Sequence, residues 1–171
     1  MKKYLLFFSL LFIGSGIYSQ PGIKVFGFEQ EISPGTVAVD VKDENGNPIK
    51  KAANKKNYFI YLSLKQKYNV TPLQVLIHGE AFSVEADMAE ITPIEHFNNN
   101  IPGQPEKTTL VPATTNKVIE LKMIGPLQVK KTLALQKLTK KNDVVISYSW
   151  KKKVYYAVLK RLKKLDAVLH E

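Results

Sequence analysis

The stretch that decides the fold is YFIYLSL, Tyr58–Leu64. Six of its seven residues are aromatic or aliphatic, and the run is too short for an ordinary helix. Rings and branched side chains fit a pleated surface, so this reads as a strand. Working outward, LQVLIH (Leu73–His78) follows Pro72 and is a second strand. In AFSVEADMAE (Ala81–Glu90), Phe82, Val84, Ala86 and Met88 alternate with Ser83, Glu85, Asp87 and Ala89, the period of a strand with two unlike faces. KVIELKM (Lys117–Met123) alternates in the same way, and VVISYSW (Val144–Trp150) is a further strand. On the N-terminal side, IKVFGF (Ile23–Phe28) is a short apolar run, and TVAVDV (Thr36–Val41) repeats valine at every second position.

Breakers separate these segments. Asn45-Gly46 supplies the positive φ of a tight turn, and Pro48 ends the ladder. Lys50–Asn57 reads as a polar loop. Thr92–Pro112 holds four prolines and three consecutive asparagines, so a long surface loop is expected, with a short edge strand at Thr108–Val111. Leu127–Leu138 fits neither the helical nor the strand period. Strands recur roughly every 10 to 20 residues with no long amphipathic helix between them, which predicts an all-β domain, an antiparallel immunoglobulin-like β-sandwich with Greek-key connections.

The piece VAVDVKDENGNPIKKA, Val37–Ala52, resembles the strand–turn–strand "D-x-N-G-x-P-[LI]" of carboxypeptidase-regulatory-like and related immunoglobulin-like domains of bacterial envelopes. The resemblance covers 16 residues and implies a β-sandwich. It departs from that pattern after the turn, where lysine-rich AANKKN replaces the expected A-x-V strand.

The tail supports two readings. As a helix over Val154–Leu169, Tyr155, Val158, Leu162, Leu165 and Leu169 share one face, and the cations lie mostly opposite: a short basic amphipathic helix. As strands, Val154–Leu159 pairs with Val144–Trp150 across a turn at Lys151–Lys153. The content of VYYAV favours this C-terminal β-hairpin, with Lys160 onward a strand extension or a short helix.

The first 19 residues have the layout of a signal peptide. Lys2 and Lys3 form a positive start, Tyr4–Ile13 is apolar, Gly14, Ser15 and Gly16 break the run, and Ser19 suits cleavage before Gln20 or Pro21. The apolar run is too short for a good membrane span. Residues 20–171 are then expected to be one β-sandwich domain with a basic C-terminal third, periplasmic, outer-membrane-associated or secreted. The chain has no cysteine, which excludes disulfides and a cysteine-linked lipid anchor.

The charge is uneven. Residues 21–116 carry 9 lysines against 11 acids, whereas 117–171 carry 14 Lys or Arg against 4 acids. A basic third points to an anionic surface, and export turns the expectation away from nucleic acid toward envelope polymers, lipid headgroups or an acidic protein. Part of that lysine also suits the solvated face of an edge strand.

Catalytic motifs are sparse. His78, His96 and His170 lack the i, i+4 spacing of a metal pair, and Glu85, Asp87, Glu90, Glu95 and His96 lack the glycine turn of a calcium loop. No G-x-S-x-G and no phosphate-binding glycine loop is present. No metal, cofactor or catalytic residue is therefore expected. The candidate binding surface is Tyr148, Trp150, Lys151, Lys152, Lys153, Tyr155, Tyr156, Lys160, Arg161, Lys163 and Lys164: aromatics able to anchor a partner, beside cations. The expected function is an exported, non-catalytic binding or structural module, a small subunit or accessory of an envelope protein assembly. The alternatives are binding of an anionic envelope polymer or membrane surface by the basic region, and a glycan hydrolase whose paired carboxylates come from distant parts of the chain.

Overall fold

The computed structural model describes residues 21–34, 55–98 and 106–170. The expected signal peptide, the strand Thr36–Val41, the Asn45-Gly46 turn and the piece Val37–Ala52 lie outside the described residues.

The described chain is all-β apart from one short helix. Its strands are β1 (Lys24–Pro34), β2 (Lys55–Leu64), β3 (Thr71–Ile77), β4 (Glu80–Met88), β5 (Ile94–Asn98), β6 (Glu106–Val111) and β7 (Lys117–Pro126). Helix α1 (Leu133–Thr139) follows, then β8 (Val144–Trp150), β9 (Lys153–Leu159) and β10 (Lys163–His170). Eight strands form one sheet in the order β10-β1-β2-β7-β4-β3-β8-β9, and β5 pairs with β6 separately.

The strand order makes the sheet curl. β9 and β10 stand at opposite ends of the order, yet only residues 160–162 separate them. That link spans at most about 15 Å of extended chain, so the two ends of the sheet must approach each other. They meet over Gly27. A Cβ there would lie 2.6 Å from Leu159 Cδ2 and 2.9 Å from Leu162 Cδ2, so the missing side chain lets the tail close over β1.

Two expectations are corrected here. The sheet is mixed rather than wholly antiparallel: β10 runs parallel to β1, with Phe28 opposite Lys163 and Gln30 opposite Leu165. The expected C-terminal β-hairpin forms, with β9 antiparallel to β8, and the chain then runs on as a further strand, β10, beside β1. The basic amphipathic helix over Val154–Leu169 does not form. β9 instead turns Ala157 and, in part, Tyr155 and Leu159 into the core, the period-two solution that its rings and branched side chains favour.

The inside of the curl is the main core. Ile60, Leu62 and Leu64 of β2 meet Val75, Ile77, Leu121, Val144 and Ile146, all at most 2% exposed. Central strands are also covered on their outer side, which explains why YFIYLSL and VVISYSW read as continuous apolar runs rather than alternating ones. The β5–β6 hairpin covers Phe28, Tyr61 and Val118 with Leu110 and Val111. Thr92–Pro112, read as a loop with one edge strand, therefore contains this hairpin. Its prolines lie outside both strands. Helix α1 resolves the ambiguous Leu127–Leu138 stretch. Thr132 caps it by accepting from Leu135 N at 3.3 Å, and Leu135 packs against Leu76, Ala81 and Val145. No helix among the described residues is long and apolar enough to cross a membrane.

Candidate functional site

The β8–β9 hairpin brings the aromatics of the expected surface together, but mostly inside. Tyr148 is 2% and Trp150 8% exposed, and both belong to the main core. Tyr155 stacks on Tyr148 at 5.9 Å and lies 5.8 Å from Trp150, while Tyr68 meets Trp150 edge-on at 5.9 Å. Burial raises the Tyr148 phenol above its usual range, with Tyr155 adding to the effect. The aromatic platform of Tyr148 and Trp150 is thus corrected to a packed ring cluster. Both sit at inward positions of β8, and sequence alternation alone does not say which face is inward.

Lys151 and Lys152 form the turn between Trp150 and Lys153, with φ of 49° and 62°. Two positive values in a two-residue loop define the turn whose twist suits a hairpin, a place usually held by Asn-Gly. Lys151 Nζ sits 4.9 Å from the centre of the Trp150 ring.

The cations do not form one patch. Lys151, Lys152 and Lys153 lie at one end of β9, and Lys160 and Arg161 just past the other, about 20 Å away at strand rise. Lys163 Nζ stands 5.6 Å over the Phe28 ring, and exposed Lys164 borders a small cleft with Glu29, Glu31 and Asp166.

Lys160 and Arg161 enter a cleft of about 360 Å³ with residues the sequence reading had not grouped with them: His78, Thr139, Lys140, Lys141, Asn142 and Asp143. Three elements meet there and are cross-braced. His78 N donates to Asp143 O at 2.8 Å, Asp143 N to Lys160 O at 3.3 Å, and Leu162 N to Asp143 Oδ2 at 2.9 Å. The end of α1 is fixed by Asn142, whose Nδ2 and backbone N both donate to Leu138 O. Four exposed cations therefore face one acid whose Oδ2 already accepts a backbone hydrogen bond. The run LTKKND, Leu138–Asp143, carried a usable signal: a basic helix end directly before a strand.

The outer face of β9 is different in kind. Val154 is 57%, Tyr156 38% and Val158 42% exposed, consecutive outward positions on a strand that ends the sheet order. Tyr156 is the ring of the expected surface that does face out.

A further cluster joins distant strands. Glu29, 8% exposed on β1, lies 3.1 Å from Lys56 Nζ on β2 and 3.6 Å from His78 Nε2 beyond β3. The hydrogen bond to Glu29 raises the Lys56 ammonium above its usual range, against a smaller opposing effect of burial. Among the described residues no three His, Asp or Glu side chains gather as a metal-binding set.

No family model, no curated protein and no solved structure matches this chain.

Proposed function

We propose that the protein is an exported, non-catalytic module of the cell envelope that docks a protein partner through the outer face of β9. The carrying observation is the run of exposed Val154, Tyr156 and Val158 on a terminal strand of the sheet. Apolar side chains on a sheet-end strand favour association, and natural proteins usually place charge there when no partner is meant to bind. Tyr156 has the size and amphipathic ring of an interface anchor. Of the aromatics expected to serve this role, Tyr148 and Trp150 are in the core on β8, so the docking face rests on Tyr156, which faces out from the neighbouring β9.

A kinship with immunoglobulin-like envelope modules draws on Val37–Ala52 alone, and one curled sheet weighs against two packed ones. The hydrolase alternative draws on Glu29, Glu31 and Asp166 lining one cleft. Glu29 there is held by Lys56 and lies within ion-pair distance of His78, which suits a structural carboxylate better than a general acid.

The test is a pull-down of the tagged protein from its native envelope, at low and at high salt, with mass spectrometry of what remains bound. The expected result is a stoichiometric protein that survives high salt and is lost with Tyr156→Lys and Val158→Lys. A partner retained by both variants, or no protein retained at high salt, would remove this reading.

A further inference from the structure

The cleft between the end of α1, the β3–β4 turn and the β9–β10 corner is a second candidate site, independent of the β9 face. Lys140, Lys141, Lys160 and Arg161 all line it and all are exposed. The ion pairs among the described residues join Lys56 and His78 to Glu29, Lys107 to Glu95 and Lys122 to Asp87, and none uses these four cations. A solvated surface face would spread such charges outward. Here the chain converges them on one concavity whose floor is braced by three backbone hydrogen bonds, one of them to the Asp143 side chain.

We infer that this cleft binds a phosphate ester. The guanidinium of Arg161 offers a planar fork of donors that matches a tetrahedral oxyanion, and the lysines add compact charges around it. A doubly charged phosphomonoester satisfies more of the four cations than a carboxylate can. The volume of about 360 Å³ holds the phosphate together with a sugar-sized carrier. His78 lines the cleft from the β3–β4 turn, where its backbone adopts φ of 48° and its N–H is spent on Asp143 O, while its ring Nε2 lies 3.6 Å from Glu29 Oε2. The same headgroup chemistry occurs on a membrane lipid and on a soluble or polymer-borne sugar phosphate.

The experiment is isothermal titration of the purified protein with glucose 6-phosphate at low salt, paired with flotation on phosphatidylcholine vesicles containing phosphatidic acid. Arg161→Ala and the double variant Lys140→Ala/Lys141→Ala are compared with Lys151→Ala/Lys152→Ala, which removes the same number of charges as the cleft double variant but at the far end of β9. Circular dichroism and thermal melts check that each variant folds. Saturable one-to-one binding is expected, weakened about tenfold or more by the cleft variants and less than about twofold by the far-end control, because charge-assisted hydrogen bonds are local while general attraction is not. Flotation that glucose 6-phosphate competes away assigns the headgroup to a lipid, and absence of flotation assigns it to a soluble or polymeric carrier. No saturable titration, or equal loss in the far-end control, would overturn the site.

Discussion

Both ends of β9 are basic, and they put their charge to different use. At the Lys151–Lys153 end, the cations make a tight turn above Trp150, and one of them lies over the indole. At the Lys160–Arg161 end, they meet Lys140, Lys141 and His78 across a cleft. The difference teaches that charge count is a poor guide to a binding site. What matters is whether the chain turns charges outward around a core residue or converges them on a hollow, and only the second arrangement concentrates potential.

The largest expected effect breaks the first end. Trp150→Ala empties a position shared with Tyr68, Tyr148 and Tyr155, and should cost about 3–5 kcal/mol in denaturant unfolding. A loss near zero would mean that the ring is a surface platform after all. Arg161→Ala at the other end should leave unfolding almost unchanged, since it is exposed.

Between the ends, the sheet itself responds to pH. Burial first, and Glu120 second, push the Tyr61 phenol well above its usual 10.0; its OH donates to Glu120 Oε1 at 3.3 Å. The folded chain keeps a proton that the unfolded chain releases. This contribution is therefore fully present below pH 10 and declines as pH rises above it, by at most about 1.4 kcal/mol per pH unit. Lys56, also raised, acts in the same direction. Tyr61→Phe should flatten the decline in a stability–pH series above pH 10, and an unchanged slope would place its source elsewhere.

The smallest effect sharpens the comparison at the turn. Lys151→Asn with Lys152→Gly suits the two positive φ values and should raise stability by about 1 kcal/mol while leaving phosphate binding intact. A destabilised double variant would show that Lys151 over Trp150 outweighs the backbone strain.

The sequence was most readable where burial is on both faces. YFIYLSL and VVISYSW are broken only by serines, of which Ser63 and Ser147 are buried, and they lie in β2 and β8. It was least readable where pairing is long-range. KKLDAVLH shows mixed polarity because β10 is largely exposed and is specified by its partner β1, more than a hundred residues away. β5 was hidden among prolines and asparagines, although only its pairing with β6 makes it a strand. The candidate cleft follows the same logic. Lys160 and Arg161 were singled out from the tail, but Lys140, Lys141 and His78 join them only once the sheet curls, and no local pattern encodes that meeting.

The central claim is that the two lysine clusters differ in function, and amide chemical-shift mapping of the ¹⁵N-labelled protein with glucose 6-phosphate tests it most directly. Shifts confined to residue 78, residues 139–143 and residues 160–162, with residues 150–153 unmoved, are the expected result. Equal shifts at both ends of β9, or shifts scattered over all lysines, would contradict it.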